Sequence, residues 1–423
     1  MKNILKTHLR PIICLIFFNV LCVNVAYAAD DIFKFNGFAT LGAIYNDSDD
    51  LGFHPNFKIP AQRGFSFAPD SLIGAQVNID VNAQWDAVVQ AVYRDKLDDK
   101  ALNYLDVAFL RYHVNNSWEI RAGRMNTDIY FLSEYKSVGY AYLWARPPSE
   151  FYAKVSSVSQ FEGADLLYKR SLGNGFLQLK LGYGETEATV ATTGSAVDVN
   201  FANMLMVSMT YQQNNWQVRA SFLDTKVDEY SANLSVIDDA IALFPPSIWP
   251  GGPEQLERFN FVGKEQQFFG LGYQYDNDLW LVQSEIGMID SEWDMERDTL
   301  SGYISVGYQP GNITYYATIS AIHPTKDNFS DDVGEISSDA PAAIVAVIQS
   351  FRPLIKEALD NNRIKQHTFS LGAKWQISPA LVAKLQVDYS VISDNGFALW
   401  RVYEEPDSGQ RVTVSSLNLN WVF

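Results

Sequence analysis

The sequence predicts an all-β fold, a transmembrane antiparallel β-barrel of about 16 strands. Three observations support this prediction. Segments of about ten residues alternate apolar and polar side chains, short turns alternate with long connections, and the chain ends in an alternating segment, Leu417–Phe423, whose last residue is aromatic. After residue 28, no apolar stretch is long enough to form a membrane helix.

The first 28 residues have the pattern of a cleaved export signal. Three basic residues precede an apolar run that ends at Val25, and Ala26-Tyr27-Ala28 has small residues at the two positions that a signal peptidase reads. The apolar run is too short to span a bilayer comfortably, which argues against a membrane anchor. We therefore predict a signal peptide at 1–28 and a single barrel domain at 29–423.

The mature chain is acidic and has no cysteine. Cys14 and Cys22 both lie in the predicted signal peptide, so neither a disulfide nor a cysteine-ligated metal is expected after cleavage. The cleaved chain keeps 29 basic and 49 acidic residues, a formal charge of −20. Phosphate binding requires a basic surface, so nucleic acid is excluded as a partner. We predict no cofactor and no metal site.

The alternating segments carry apolar side chains on one face and polar side chains on the other. In 72–81, for example, Ile73, Val77 and Ile79 oppose Asn78 and Asp80. A charged or amide residue at every second position is incompatible with a packed core, so this face is predicted to line a water-filled lumen. The predicted lumen-lining residues are Asp80, Asp106, Glu119, Lys180, Arg219, Glu285, Lys384 and Asp388.

One segment does not follow this rule. In 102–114, Asp106 and Arg111 have opposite parity along the strand. Either a β-bulge lies between them, or the long Arg111 side chain extends to the rim of the barrel.

The connections give the strand count. Seven short turns alternate with eight longer segments, which gives 16 strands with both ends on the same side of the membrane. An even count is what closure of the barrel requires. A soluble β-sandwich or propeller is the alternative, but the polar face has too few long apolar side chains to pack against a second sheet. The longer segments are 46–69, 95–101, 126–158, 184–198, 229–264, 290–298, 322–363 and 393–409.

Two motifs then resemble those of a known family. The strand Trp118–Met125 contains Gly123-Arg124 and is followed by a long third loop at 126–158, which continues through Ala145–Tyr152 to the next strand. This arrangement resembles the Gram-negative outer-membrane porin superfamily. The last strand resembles the C-terminal assembly signal of bacterial outer-membrane barrels, carried here by Leu419, Trp421 and Phe423.

The resemblance implies a 16-stranded general-porin-like barrel in the bacterial outer membrane, with passive diffusion of small hydrophilic solutes and ions. It also implies a homotrimer, contacts with outer-membrane lipid and lipopolysaccharide, and recognition by the barrel-assembly machinery. Acidic external loops could bind divalent cations alongside lipopolysaccharide, although solubility would also account for them. In such porins the third loop folds into the barrel and narrows the pore.

A third loop folded inward would place opposite charges across the pore. Its acidic residues would face arginines of the wall, and the transverse field would select solutes by size, charge and dipole. Alternatively, these charges only solvate an exposed loop. The candidate constriction residues are Arg94, Arg121, Arg124, Asp128, Glu134, Arg146 and Glu150.

The expected ion preference is weak. Inward-facing charges of both signs are equally frequent along the predicted strands, whereas the external loops are acidic. Any bias at low salt is therefore expected to favour cations. An anion channel would need a ladder of basic residues, and the sequence shows none.

Other functions remain open. A substrate-specific channel for a sugar or an organic acid could use an aromatic-lined third loop, and a binding or adhesion barrel would have a closed lumen. An enzyme is not predicted, because no Ser/His/acid set has suitable spacing. The aromatic residues of the third loop are Tyr130, Phe131, Tyr135, Tyr140, Tyr142, Trp144, Phe151 and Tyr152.

The segment 338–361 interrupts the strand pattern with apolar residues at helical spacing. Ser338 or Asp339 could cap the start of a helix, and Pro353 is expected to kink it. We predict a helix in the seventh external loop, which either packs over the barrel mouth as a lid or subunit contact or simply fills a long loop.

Overall fold

The computed structural model describes residues 32–97, 100–191, 196–230, 239, 241–293, 298–325, 333–353, 363–404, 406 and 408–423. Sixteen antiparallel strands within these residues form a closed barrel, because the first strand pairs with the second on one side and with the last on the other. The predicted fold class and strand count are therefore confirmed. The strands are β1 Phe33–Asn46, β2 Leu72–Asp80, β3 Trp85–Arg94, β4 Leu105–His113, β5 Trp118–Asn126, β6 Gln160–Leu172, β7 Gly175–Ala191, β8 Ala196–Gln213, β9 Trp216–Tyr230, β10 Glu265–Asp276, β11 Trp280–Ser291, β12 Thr299–Tyr308, β13 Ile313–Pro324, β14 Ile364–Ser378, β15 Leu381–Phe397 and β16 Gln410–Val422.

The two faces of the barrel wall follow the alternation in the sequence. In β16, Leu417 and Leu419 are 54% and 41% exposed on the outer face, whereas Asn418 and Asn420 are each 1% exposed on the inner face. The exposed outer residues of the other strands are likewise mainly large and apolar. An apolar outer band with polar residues inside is the arrangement that a lipid bilayer requires of a barrel.

A β-bulge resolves the parity conflict in β4. The pairing of β3 with β4 shifts register between Gln90 and Ala91, which pair with Val107 and Leu105 and leave Asp106 as the extra residue. Both Asp106 and Arg111 therefore point into the barrel. Arg111 Nε donates to Asp86 Oδ1 at 3.0 Å across the same pair of strands.

The connections alternate as predicted, with one difference. Short turns join the strands at one end of the barrel, and the longer loops join them at the other end. The fourth long connection is much shorter than the predicted 184–198, because β7 and β8 continue to pair as far as Ala191 and Ala196. Side chains in 184–191 keep the period of a strand, so their pairing continues beyond the predicted loop boundary.

Three α-helices occur in the longer connections of the described chain, namely α1 Ser149–Tyr152, α2 Gly252–Phe259 and α3 Ala342–Gln349, and three short 3-10 helices lie at Ala101–Tyr104, Gly139–Ala141 and Lys154–Ser156. The helix α3 begins after Pro341 rather than at Ser338 or Asp339. Residues 354–361 of that prediction, like the predicted signal peptide at 1–28, lie outside the described residues. Within the part of the chain that is described, no helix combines the length and apolar character needed to cross a membrane.

The external loops that contain α2 and α3 pack against each other. Ile241 and Trp249 from the fifth loop form a small apolar cluster with Val333 and Ile348 from the seventh. Trp249 Nε1 donates to the carbonyl oxygen of Val333 at 2.8 Å, and its ring stacks on Phe351 with centroids 5.9 Å apart. The seventh-loop helix is therefore attached to a neighbouring loop.

The barrel closes at the C-terminal residue. Phe423 N donates to Gly37 O at 2.9 Å, and Gly37 N donates to Phe423 O at 2.7 Å. The Phe423 ring lies directly on Gly37, where a Cβ would collide with it. Glycine at this position lets the aromatic ring lie flat on the outer surface of β1.

Candidate functional site

The third loop, residues 127–159, lies inside the barrel and crosses the lumen. Lys384 on the far wall donates to the carbonyl oxygens of Tyr142 and Trp144, each at 2.7 Å, and also to that of Gly139. Tyr140 Oη donates to Pro379 O at 2.6 Å, in the short turn between β14 and β15. The loop therefore extends from its origin at β5 to the opposite wall and down to the turn end of the barrel.

Side chains of the third loop also hold it to the wall. Trp144 is fully buried, and its Nε1 donates to Ser305 Oγ at 2.8 Å and to Thr318 Oγ1 at 3.0 Å. Ala145 N donates to Gln386 Oε1 at 2.9 Å. Buried polar groups of the wall are thus satisfied by the loop.

Apolar packing fills the sector of the lumen between the third loop and strands β6 to β13. Met125, Ile129, Phe151 and Phe268 belong to one buried cluster that joins loop and wall. The alternating pattern predicted a water-filled lumen on this side, but the apolar side chains of the loop occupy it. The inner face of these strands therefore combines polar anchors with a packed core.

Glycines on the inner face of the wall make room for this packing. A Cβ at Gly272 would lie 2.6 Å from the ring of Phe131, and one at Gly287 would lie 3.0 Å from the ring of Phe151. Glycine in a strand interior often marks the close approach of another element. Both glycines occupy inward-facing positions of their strands, and this is the sequence feature that indicates packing of the loop here.

An alternating chain of charges joins the start of the third loop to the wall. Arg121 Nε lies 3.0 Å from Asp165 Oδ1, and Arg121 Nη2 lies 3.4 Å from Glu134 Oε1. Lys180 Nζ lies 2.7 Å from Glu134 Oε1 and 3.1 Å from Asp128 Oδ2. Direct contact of opposite charges means that they largely neutralise each other, so they fix the loop more than they create a field across open water.

Arg219 extends this chain of charges. Its Nη2 contacts Asp128 Oδ1 and donates to Asp128 O at 2.6 Å. The structure therefore does bring the predicted residues Arg121, Asp128 and Glu134 together. Asp165 was not predicted, because its role depends on pairing between β5 and β6.

Arg146 anchors the last part of the third loop. Its Nη2 lies 3.1 Å from Asp70 Oδ2 and donates to Ser416 Oγ at 2.7 Å, and its Nη1 lies 3.4 Å from Asp388 Oδ2. All of these side chains are buried. The buried loop guanidinium thus connects two carboxylates and two wall strands.

Two predicted constriction residues do not face the open pore. Arg124 lies on the outer face of β5, opposite in parity to Arg121, and Arg124 Nε donates to Glu162 Oε1 at 2.9 Å. Glu150, in α1, is buried against the wall and accepts from Gln366 Nε2 at 2.7 Å and from Ser320 Oγ at 2.8 Å. Arg124 is separated from the other candidates because it lies on the opposite face of its strand. Glu150 is enclosed because α1 packs on the wall.

The predicted lumen-lining residues divide into two groups. Six of them contact the third loop, and the other two have partners on neighbouring strands. Glu285 accepts from Phe131 N at 2.8 Å and from Tyr303 Oη at 2.7 Å. The six that contact the loop are Asp106, Lys180, Arg219, Glu285, Lys384 and Asp388. The other two are Asp80, which pairs with Lys34, and Glu119, which pairs with Lys169.

A cavity, which we call the aperture, remains between the third loop and the walls on the side of β1 to β4. This cavity has a volume of about 170 Å³, and Tyr130, Tyr142 and Tyr152 of the loop form part of its lining. Its charged lining consists of five basic side chains and two acidic ones. These side chains are Lys58, Arg94, Lys96, Lys136, Arg146, Asp70 and Asp106.

Four of the basic side chains form a group that we call the basic cluster, namely Lys58, Arg94, Lys96 and Lys136. Of these four residues, only Arg94 was predicted from the sequence, in which no ladder of basic residues is visible. The four residues come from the first loop, β3, the second loop and the third loop. No local pattern links them, because only the tertiary fold brings them to one cavity.

The fold is that of outer-membrane porins. No protein-family model matches the chain, and no curated protein matches it either. Among solved structures, OmpF of Salmonella typhi, in a complex with daunomycin, is 13% identical with a TM-score of 0.52, and the match covers 92% of this chain and 97% of that one. OmpT of Vibrio cholerae is 9% identical with a TM-score of 0.51, covering 94% and 99%. An anion-selective porin from Comamonas acidovorans is 11% identical with a TM-score of 0.50, covering 92% and 99%.

Proposed function

We propose that this protein forms a water-filled channel through the bacterial outer membrane, for the passive diffusion of small hydrophilic solutes and ions. The barrel fold and apolar outer face match that location. The observation that carries the proposal is the aperture, with its charged lining, between the anchored third loop and the wall of β1 to β4. A narrow opening with charged walls passes solutes according to their size and charge.

The arrangement supports a channel more than an enzyme. Most polar side chains inside the barrel serve to attach the third loop, as Lys384 and Arg146 do. Groups that are held in hydrogen bonds to a loop are structural supports for a pore of defined size. The barrel thus presents a fixed constriction rather than a cleft built around a reacting group.

A substrate-specific channel is the second candidate. Tyr142 and Tyr152 line the aperture and are partly exposed, so they are placed to guide a sugar or an organic acid. Tyr130, Phe131, Trp144 and Phe151 are instead buried between loop and wall. Only part of the aromatic set is therefore available to a passing solute.

We also propose the assembly features that the sequence implied. Removal of 1–28 would release the barrel domain 29–423, and Leu419, Trp421 and Phe423 would be read by the barrel-assembly machinery. Their support is the outward face of the last strand and its pairing with β1. A homotrimer in contact with outer-membrane lipid and lipopolysaccharide is part of the same proposal.

Planar-bilayer recording and liposome swelling test the channel. Step-like ohmic currents and swelling rates that fall smoothly with solute size would support passive diffusion. Currents that one sugar or organic acid blocks at millimolar concentration would support the substrate-specific alternative. A correctly folded barrel that carries no current would refute both and leave the binding or adhesion barrel.

A further inference from the structure

The basic cluster has almost no counter-charge in the described part of the chain. Arg94 Nη2 donates to Ser137 Oγ at 3.0 Å, and Lys136 Nζ donates to Ser159 O at 2.9 Å. Lys96 donates to the carbonyl oxygen of Asn103. These partners are neutral, and among the described residues none of the four basic side chains has a carboxylate within ion-pair distance.

The two carboxylates of the aperture do not compensate for this charge. Asp70 is paired with Arg146 at 3.1 Å. Asp106 accepts from Gln160 Nε2 at 2.8 Å and from Ser137 Oγ at 3.4 Å. One unpaired carboxylate thus faces four basic groups.

The three lysines of the cluster show the effect of this crowding. Burial, followed by repulsion from Lys136 and Lys96, lowers the pKa of Lys58 to about 7, and the charge of Asp106 opposes that shift. Burial similarly lowers the pKa of Lys96 and that of Lys136 to about 8. An anion between these ammonium groups would relieve both the burial cost and the mutual repulsion.

We propose that the aperture is an anion-selective filter, in which Lys58, Arg94, Lys96 and Lys136 attract small solutes that carry carboxylate or phosphate groups. This inference rests on the proposed function, since it concerns what the same channel passes. It reverses the cation bias that the acidic external loops suggest.

The charges of the basic cluster affect a passing ion more than the charges of the outer loops do, for a physical reason. Charges more than about 10 Å from an ion are largely screened at about 0.1 M salt. A passing ion must come much closer to the basic cluster than to residues at the loop tips. Low-dielectric protein around a narrow opening also concentrates the field of the lining charges.

The test is the reversal potential of the purified protein in planar bilayers under a KCl gradient at about pH 6, where lysines with pKa values of about 7 and about 8 are largely protonated. The variant is the triple substitution Lys58→Gln, Lys96→Gln and Lys136→Gln, which removes three charges and keeps similar side-chain lengths. The matched control is Lys100→Gln, an exposed lysine on the same loop as Lys96. One charge about 8 Å from the ion changes the chloride-to-potassium permeability ratio about twofold at about 0.1 M salt.

The expected result is a chloride preference in the wild type, a ratio lower by about eightfold in the triple variant, and no change in the control. A conducting wild type that prefers potassium, or a triple variant with an unchanged ratio, would overturn the inference and leave the channel intact. A wild type without conductance would remove the proposed function itself. Heat-modifiable migration on a gel reports whether the triple variant folds. If it does not fold, the single substitution Lys58→Gln is measured instead, and the permeability ratio is expected to fall about twofold.

A second measurement identifies the anion class. Potassium succinate or inorganic phosphate is added to the side of the external loops, and the block of the chloride current is recorded. Block by succinate alone assigns carboxylates, block by phosphate alone assigns phosphates, and either supports the filter. Lack of block by both would overturn the assignment to these solutes.

Discussion

Replacing Arg146 by glutamine should loosen the third loop and change the conductance. In the native barrel this guanidinium lies between Asp70 and Asp388, and it donates to Ser416 Oγ at 2.7 Å. Its cationic group also lies 4.3 Å from the ring centre of Phe53. Glutamine keeps some hydrogen bonds but leaves two buried carboxylates without a cation.

The size of the effect follows from that burial. The side chains of Asp70 and Asp388 are 6% and 12% exposed, so neither can be well hydrated where it is. Removing one partner of a buried ion pair costs about 3–5 kcal/mol. Because about 1.4 kcal/mol is a factor of ten, the population of barrels with a displaced loop should rise by at least about 100-fold.

Single-channel recording measures this directly. We expect Arg146→Gln to show larger or fluctuating conductance, and chymotrypsin should cut its third loop faster than that of the wild type. Arg124→Gln is the matched control, because Arg124 lies on the outer face and its hydrogen bonds go to Glu162, Leu102 O and Leu105 O rather than to the third loop. Glu162 is 57% exposed, so loss of this ion pair costs about 0–1 kcal/mol. The double variant Arg146→Gln with Asp388→Asn should recover part of the lost loop stability, since it removes one of the two buried carboxylates that have no cation. Identical current traces for wild type and Arg146→Gln would refute the assigned anchor role.

Three further outcomes are expected. Chloride preference should rise as pH falls from about 9 to about 6, because the lysines of the basic cluster, with pKa values of about 7 and about 8, gain protons over that range; a reversal potential that is flat with pH would contradict this. Gly37→Val should slow barrel closure, because the added side chain displaces the Phe423 ring. A gel assay of heat-modifiable folding would then show a smaller folded fraction than for the control Gly311→Val, since Gly311 has open space around it. Gly272→Val should displace Phe131 and destabilise loop packing by about 1–3 kcal/mol, seen as noisier current, and quiet wild-type-like traces would count against the packed sector.

The sequence predicted the barrel well because its wall is a local pattern. Alternation with period two sets the face of each side chain, and turn residues set the strand count, as in β16. The bulge at Asp106 could be suspected but not decided, since either a bulge or a long side chain explains the parity. Loop 184–198 was misjudged because strands can continue beyond the membrane without any change of pattern.

The candidate site was predicted less completely, because it depends on contacts between distant segments. The pairing of Arg121 with Asp165 requires the register of β5 on β6. Lys58, Lys96 and Lys136 meet only after three loops converge, and none of them has a motif around it. Counting lumen charges along the strands missed these residues, since they lie on loops.

Closure of the barrel has a consequence for the order of folding. Thr40 on β1 bonds to Asn420 on β16, a residue 380 positions later in the chain. Contacts of such separation form late, because the entropy of closing the intervening chain must be overcome first. Until then one edge of β1 presents unpaired amide and carbonyl groups, which favour aggregation. We therefore expect a chain of this topology to need shielding before its barrel closes, and its slowest folding step should be the one that joins its first strand to its last.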